Sequence, residues 1–421
     1  MTTTFSDTRF FASDYESQKT RFSTLFSRIA EGARVRDLER ILPFEQVAWL
    51  DEEGFGALRV PAEFGGAGVS VETLTQLLVD LAAADSNVAH LYRSHFGFVE
   101  SLQWHDEPIR RTWYAKIAAG KTIGNASTER GGNALGNLNT LLTRDENGWV
   151  LNGKKFYTTG TIFSDFTRVS AGLEGKSGRA FAVVGTTSDG VDVIDDWDGF
   201  GQRLTGTGST SFENVRVEDS NVFEREASGA EATHEAAFFQ LILLAVLAGI
   251  ARAARIDAAD SVFKRARTFN TGSGLPFRDD PLIQEAVGRI ASKAFTAEAT
   301  VLAAARAVDV ALDESSALER VAGVQLPTTP AGYLAELAVE QAQVSVPELA
   351  IGAAQQLFET GGASSTSTAK GLDRHWRNAQ TVATHNPIAF RARSIGDYFI
   401  NGTLPQGLNA IGDAPTPSLG Q

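Results

Sequence analysis

Apolar side chains recur at helical spacing near both ends of the chain and at strand-like spacing in the middle. Apolar positions three and four residues apart predict amphipathic helices in residues 23–33, 34–51, 71–84, 281–312 and 331–358. Residues 238–259 are apolar on nearly every side, which predicts a helix buried against other helices rather than one that spans a membrane. Two further helices are expected on either side of His385-Asn386-Pro387.

The middle of the chain, from about residue 121 to 223, shows short strand patterns interrupted by turns. Runs of β-branched and aromatic residues occur at 179–184, 191–194 and 209–217. A tight hairpin is also predicted around Asn152-Gly153, because Asn-Gly between strand formers favours the positive φ angles of a type I′ turn. The spacing of Gly148, Gly153 and Lys154 resembles a phosphate-binding loop, but Lys155 replaces its hydroxyl residue and no helix follows.

This order of elements predicts an α+β protein with a compact antiparallel barrel or sandwich between helical regions. The expected divisions are an N-terminal helical domain at 1–121, a central β-barrel domain at 122–228, a C-terminal helical bundle at 229–402 and an irregular tail at 403–421.

Composition narrows the possible functions. The net charge of −13, with no long basic cluster, argues against a nucleic-acid partner. With neither a signal peptide nor a membrane span evident, a soluble, cytoplasmic protein is expected. The chain has no cysteine, which excludes disulfides, thiolate catalysis and cysteine-bound metals.

Two segments contain candidate binding residues. His95 lies among aromatic residues, where a packed structural histidine is the more common outcome, yet it is also a candidate for a pocket. The Gly/Ser/Thr run at 359–371, which includes Gly361 and Gly362, follows a helix and either binds an anion through backbone amides or is a flexible connector.

Motifs in this order resemble the acyl-CoA dehydrogenase superfamily over nearly the whole chain. They are found at 60–68, 125–129, 151–160, 212–217 and 374–379. The resemblance is greater to the flavin-dependent monooxygenases of this superfamily, those typified by dibenzothiophene monooxygenase, in the motifs at 124–127, 195–197, 206–210, 373–378, 385–387 and 401–402. It implies an acyl-CoA dehydrogenase-like fold with a C-terminal four-helix bundle, a flavin between barrel and bundle, and a homotetramer.

The resemblance also argues against the dehydrogenase reaction. Dehydrogenases of the superfamily remove a proton with a carboxylate, but the corresponding segment here, Thr384 to Pro387, contains none. Glu231 or Glu235 remains as a displaced base outside any recognisable motif. An acyl-CoA dehydrogenase is therefore the alternative, and a flavin-fold protein without enzymatic activity is a third possibility.

For an oxygenase, the resemblance implies that reduced flavin and O2 form a C4a-(hydro)peroxide, which the protein must stabilise while excluding water. It assigns His385 to proton donation or peroxide stabilisation, Thr159 to a hydrogen bond with flavin N5 or the peroxide, and Asn125 to polarising the substrate or the distal oxygen. His95, with Phe96 and Val99, is expected in the substrate pocket.

The flavin contacts implied by the resemblance are Ser127, Thr128, Tyr157, Thr158, Thr159, Trp197, Arg267, Phe269, Gly361 and Gly362. Arg267 resembles an arginine that reaches a flavin phosphate from a neighbouring subunit. The related monooxygenases use FMN and the dehydrogenases FAD, and both remain open.

No G-x-G-x-x-G motif follows a strand, so no nicotinamide site is evident. We therefore expect a separate NAD(P)H:flavin reductase to supply FMNH2 in a two-component system. The expected substrate is a small aromatic, sulfur- or nitrogen-containing molecule.

Overall fold

The computed structural model describes residues 14–131, 138–175, 179–224, 228–265, 272–318 and 326–405. Its N-terminal region is helical, with α1 Tyr15–Glu39, α2 Phe44–Glu52, α3 Val71–Ala84, α4 Ser86–Leu91, α5 Arg93–Ser101 and α6 Glu107–Ala118. The predicted break near residue 33 lies instead at Arg40 to Pro43, because Arg40 adopts a left-handed conformation and Pro43 disfavours a helical residue before it. Helix α3 is capped by Ser70, whose hydroxyl accepts from the Thr73 amide.

The middle region is a twisted sheet of β1 Ile123–Ala126, β2 Leu141–Asp145, β3 Gly148–Phe156, β4 Phe166–Leu173, β5 Arg179–Gly185, β6 Val191–Ile194, β7 Ser209–Val217 and β8 Val222–Glu224. The strand order is β6-β7-β3-β2-β4-β5-β8, with β1 paired to β4. Most neighbours are antiparallel, as predicted, but β1 and β2 each run parallel to β4. The strand predictions for β5, β6 and β7 are confirmed.

The hairpin predicted at Asn152-Gly153 is wrong, because β3 runs straight through both residues with a bulge between Leu151 and Gly153. Asn152 instead accepts a hydrogen bond from the Asn214 amide of β7 at 2.8 Å. Gly153 has a φ of 150°, and a Cβ on it would lie 2.5 Å from Thr140 Oγ1. The turn lies six residues earlier, between Asp145 and Gly148.

The C-terminal region is helical, with α7 Gly229–Lys264, α8 Pro281–Ser316, α9 Pro330–Gln356, α10 Asp373–Ala383 and α11 Ile388–Asn401. Helices α7 to α10 pack on one another as a bundle, and α7 also packs on α3 and α5. By length and composition α7 resembles a membrane span, but 89% of its most apolar stretch is buried inside the protein. It is therefore the buried central helix that its all-round apolar pattern predicts.

One large apolar core joins the N-terminal helices to the bundle, and a second lies within the sheet. Because α7 borders both the N-terminal helices and the sheet region, residues from all three parts of the chain meet at its N-terminal half. Residues 406–421, which make up most of the expected tail, lie outside the described residues, and the boundaries at 121, 228 and 402 stay predictions.

Candidate active site

A cavity of about 760 Å³ lies where the sheet meets α4, α5, α7 and the junction of α10 with α11. Its size is in the range of pockets that hold small ligands and cofactors, about 300–1,000 Å³. The residues expected at the site that line its walls are Asn125, Ser127, Thr128, Tyr157, Thr159, Trp197 and His385. Segments far apart in sequence are therefore brought together around one space.

Hydroxyl and amide groups line the sheet side of the cavity. The Thr159 hydroxyl lies 2.8 Å from that of Thr207, which in turn lies 2.6 Å from Thr205 Oγ1. Ser127 Oγ donates to the side-chain oxygen of Asn125 at 2.9 Å. Because this contact occupies the Asn125 oxygen, the Asn125 NH2 group is the part of the side chain that can donate to a ligand.

An aromatic pair stands on the same side. Tyr157 has a φ of 58°, a left-handed conformation that is uncommon for a residue with a side chain and that turns the chain away from the end of β3. Its ring meets Trp197 edge to face at 6.0 Å. Arg130 donates to the Tyr157 hydroxyl at 3.1 Å and lies 4.8 Å from the ring centre. These flat surfaces suit a planar heteroaromatic ligand.

A buried ion pair supports the sheet wall from behind. Lys155 Nζ lies 2.7 Å from Glu129 and donates to the Ser127 carbonyl at 3.3 Å and to Ser170 at 3.2 Å. Burial lowers the pKa of Lys155 to about 8, although Glu129 opposes the shift, so the ammonium stays largely charged at neutral pH. The pair holds the backbone of Ser127 in place.

Two histidines face the cavity from the helical side. Burial and the charge of Arg93 lower the pKa of His90 to about 4. His385 is accessible to solvent through the cavity, but protein atoms surround its ring closely. The resulting desolvation, followed by the charges of Arg93 and His90, lowers the pKa of His385 well below its usual value. Both imidazoles are therefore neutral at neutral pH, each with one N–H donor and one acceptor nitrogen.

Arginines form the wall between α5, α7 and the sheet. Arg93 Nε donates to the Phe239 carbonyl at 3.0 Å, and its guanidinium lies 4.7 Å from the Phe239 ring centre. Burial lowers the pKa of Arg93 to about 10, which leaves it charged at neutral pH. Arg168 binds Glu235 at 2.8 Å and stacks on Phe181 at 3.8 Å.

The structure does not bring the expected substrate residues His95, Phe96 and Val99 to the cavity, where none of them is part of the lining. His95 is fully engaged with backbone, since its Nε2 lies 2.8 Å from the Gly56 carbonyl and its Nδ1 accepts from the Ile123 amide at 3.2 Å. Phe96 and Val99 are in apolar cores. The structure therefore does not place His95 in the expected substrate pocket or beside the proposed reaction centre.

Three expected flavin contacts also lie away from the cavity walls within this chain. Thr158 is buried, donates to the Gly208 carbonyl at 3.1 Å and accepts from Thr210 at 2.9 Å. Gly361 and Gly362 follow α9, where the Gly361 carbonyl accepts from Arg265. Arg267 and Phe269 lie outside the described residues.

Sequence reasoning missed His90 and Arg93 as cavity residues, and it named Glu235 only as a possible displaced base. Helical spacing could have indicated both residues, because His90, Arg93, Ser94 and Gly97 share one helix face. His95 is turned about 140° away from His90 around the helix axis. Gly97 lies on that face against the Phe239 ring, where a Cβ would be too close to be accommodated. Contacts between residues distant in sequence decide which helix face packs on α7, and local spacing does not reveal them.

Family models agree with this architecture in each part of the chain. The models for the N-terminal, middle and C-terminal domains of acyl-CoA dehydrogenases match residues 22–121, 124–215 and 241–390. The chain belongs to the acyl-CoA dehydrogenase superfamily.

Curated relatives narrow this assignment. Dibenzothiophene monooxygenase from Mycolicibacterium goodii is 26% identical over 369 residues, which cover 85% of this chain and 87% of that protein. The "Probable FMNH2-dependent monooxygenase SfnC" of Pseudomonas putida is 27% identical over 387 residues, which cover 90% of this chain and 94% of that protein.

Solved structures show the same similarity. Methanesulfinate monooxygenase MsuC from Pseudomonas fluorescens superposes with a TM-score of 0.82 at 26% identity, covering 93% of this chain and 98% of that one. FMN-bound TdsC from Paenibacillus sp. A11-2 gives the same TM-score and identity, covering 92% of this chain and 99% of that one. Within its superfamily, the chain is therefore a flavin-dependent monooxygenase.

Proposed function

We propose that this protein is the oxygenase component of a two-component system, which receives FMNH2 and oxygenates a small aromatic, sulfur- or nitrogen-containing molecule. The observation that carries the proposal is the cavity in which the neutral imidazoles of His90 and His385 face the hydroxyl groups of Thr159 and Thr207. Relatives named for FMNH2 dependence and for bound FMN support the choice of FMN over FAD.

The residues of the cavity fit an isoalloxazine ring. Its polar edges need hydrogen-bond donors and acceptors, which Ser127, Thr128 and Thr159 offer on one side of the space. Its flat face needs aromatic or apolar surface, which Trp197 and Tyr157 supply. We assign these residues to FMN, with Thr159 directed at the N5 edge.

When bound, reduced FMN would supply the electrons and the C4a carbon at which O2 is activated. The chain must then keep a proton in place and keep water out. A neutral His385 would hold the proton by donating one N–H. Asn386 beside it donates to Gln240 at 2.7 Å and so fixes the α10–α11 junction. Asn125 donates from its NH2 group to the substrate or to the oxygen atom being transferred.

A separate NAD(P)H:flavin reductase is proposed as the source of FMNH2, because no nucleotide-binding glycine motif follows a strand. The relative named as FMNH2-dependent is consistent with this arrangement. The two proteins are proposed to act together in the cytoplasm, where NAD(P)H is available.

Stopped-flow mixing tests the proposal. The protein loaded anaerobically with FMNH2 is mixed with oxygenated buffer, and the absorbance of the flavin–oxygen adduct is followed. An adduct that outlives the reaction of free FMNH2 with O2 is the expected result. Oxidation at the rate of free FMNH2, with no adduct, would contradict the proposal.

Glu235 favours one alternative, an acyl-CoA dehydrogenase with a displaced base, because its carboxylate lines the cavity. However, Arg168 binds this carboxylate at 2.8 Å, so Glu235 is already engaged in an ion pair rather than directed at a substrate. Anaerobic mixing of the oxidised, flavin-loaded protein with butyryl-CoA distinguishes the two, since only a dehydrogenase bleaches the flavin.

A homotetramer is proposed from the resemblance and from the exposed apolar side chains of α11, which include Phe390, Phe399 and Ile400. A second copy of the chain is the proposed occupant of this surface. Arg267, Phe269, Gly361 and Gly362 are then proposed to reach the flavin of a neighbouring subunit.

A further inference from the structure

Glu235, the carboxylate whose charge acts on Arg93, binds Arg168 instead, so Arg93 is a cation in the cavity wall without an ion pair among the described residues. Its contacts are the Phe239 carbonyl at 3.0 Å and the Phe239 ring at 4.7 Å, and among the described residues no carboxylate lies within ion-pair distance of it. Buried charges are normally paired, because desolvating an unpaired charge is costly. The missing partner of Arg93 is therefore expected to come from a ligand.

The surroundings of Arg93 strengthen this expectation. Arg168 and Arg179 also line the cavity, and the carboxylate near them, Glu235, is already bound by Arg168. The cavity lining includes four arginines, Arg93, Arg130, Arg168 and Arg179, and two carboxylates, Asp198 and Glu235, although the whole chain has a net charge of −13. The wall has the opposite charge to the rest of the protein, which attracts anions to it.

Apolar and polar groups next to Arg93 define the rest of a binding site. Phe239 and Phe181 line the same cavity and offer aromatic surface to an apolar group. Ser94, adjacent to Arg93 on α5, also lines the cavity and offers a hydroxyl group there. A ligand held there would have one charged end and one small apolar end.

This wall is next to the proposed reaction centre. The charge of Arg93 acts on both His90 and His385, so all three side chains belong to one electrostatic neighbourhood. A different arginine, Arg130, is exposed beside Tyr157 and can serve the phosphate of FMN. An anionic group bound by Arg93 would therefore belong to the substrate.

We propose that the substrate is a small organic anion whose carboxylate, sulfinate or sulfonate group binds Arg93, while its apolar part packs on Phe239. The inference rests on the proposed function, since it concerns the same cavity, and it specifies the charge of the molecule that is oxygenated.

Isothermal titration of the FMN-loaded protein with two probes of similar shape tests the inference. Benzenesulfinate carries a negative charge, whereas methyl phenyl sulfone is neutral. We expect benzenesulfinate to bind at least about tenfold more tightly, because a hydrogen bond to a charged group is stronger than one to a neutral group. Substitution Arg93→Gln should remove this preference, and Arg93→Lys should restore part of it by keeping the charge.

Arg216→Gln is the matched control, because Arg216 is an exposed arginine paired with Asp145 outside the cavity lining. It should leave the affinity for both probes unchanged. If Arg93→Gln does not fold, the probe preference of the wild type and of Arg93→Lys still decides the question.

Equal affinity of the wild type for both probes, or a sulfinate preference that survives in Arg93→Gln, would overturn the inference. Fluorescence titration with FMN separates this outcome from failure of the proposed function. A protein that binds FMN and stabilises the oxygen adduct but shows no preference for the anion refutes the substrate class alone. A protein that does not bind FMN refutes the proposed function.

Discussion

The Nδ1 atom of His90 lies 3.1 Å from the side-chain oxygen of Gln202. Gln202 is oriented by its other contacts, because its amide nitrogen donates to Ser86 Oγ at 3.2 Å and its backbone N–H donates to Asn378 Oδ1 at 2.7 Å. The Gln202 oxygen thus faces His90, so the neutral ring has its proton on Nδ1. The Nε2 atom of His90 is left as an acceptor for a ligand in the cavity.

Substitution Gln202→Glu should raise the pKa of His90 from about 4. A carboxylate in place of the amide stabilises the imidazolium, by roughly one pKa unit or more at hydrogen-bond distance. NMR titration of the ring protons measures the shift. Gln202→Leu is the matched control, which removes the contact without adding charge and should not raise the pKa. An unchanged titration in Gln202→Glu would show that the two side chains do not interact in solution.

Substitution His385→Ala should shorten the lifetime of the flavin–oxygen adduct by about tenfold, because one hydrogen bond at the reaction centre is lost and water gains access. Stopped-flow absorbance and the yield of released hydrogen peroxide measure the effect. His105→Ala is the control, since His105 packs against Phe223 and is not part of the cavity lining. A lifetime equal to that of the wild type would remove His385 from the mechanism.

Stability should fall as the pH is lowered from about 6.5 to 4. Burial lowers the pKa values of His90 and His95 to about 4, so the unfolded chain takes up protons in this window before the folded chain does. Each histidine contributes up to about 3 kcal/mol of this loss at roughly 1.4 kcal/mol per pKa unit. Asp51 opposes the trend, because burial raises its pKa to about 7.

Urea unfolding of the wild type and of His90→Asn across this pH range isolates the share of His90. The variant should lose less stability between pH 6.5 and 4 than the wild type does, while the Asp51 contribution is common to both. Parallel pH profiles for the two proteins would mean that His90 is protonated in the folded state.

Substitution His95→Ala should lower the free energy of unfolding by about 2–4 kcal/mol, because it leaves two buried backbone groups, the Gly56 carbonyl and the Ile123 amide, without their partner. Urea unfolding measures the loss. The folded variant should retain its adduct lifetime, because His95 does not line the cavity. Loss of the adduct in a variant of unchanged stability would return His95 to the reaction centre.

Substitution Ile400→Asp should weaken the proposed tetramer, because Ile400 is 81% exposed in one chain and would bring an unpaired charge into a contact with a second copy. Sedimentation velocity measures the change relative to the wild type. The control is the same charge placed at Ala115, an exposed residue of α6. A wild type that sediments as a monomer would contradict the proposed assembly.

Much of the fold could be predicted from the sequence because periodicity is local. Strands β5, β6 and β7 and the buried helix α7 follow directly from spacing. The hairpin at Asn152-Gly153 could not be excluded this way, since its turn signal is overridden by a distant partner, Asn214, and by the close approach of Thr140. Parallel pairing of β1 and β2 with β4 has no local signal either.

The residues of the site were likewise predictable only in part from the sequence. His385, Thr159 and Asn125 were identified through motifs that resemble a known family, and the structure places all three on one cavity. His90 and His95 are chemically alike and five positions apart, so only the packing of α4 and α5 against α7 and the sheet decides which one faces the ligand. The role of Arg93 likewise depends on Phe239, which is remote in sequence.

Helix α7 belongs both to the apolar core and to the cavity, to which it contributes Glu235, Phe239 and Gln240. Loosening of this one helix on warming would both soften the core and let water reach the bound ligand. The rate at which the reduced cofactor is oxidised without product formation should therefore rise in the temperature interval in which the protein begins to unfold. Release of hydrogen peroxide would then report the onset of unfolding.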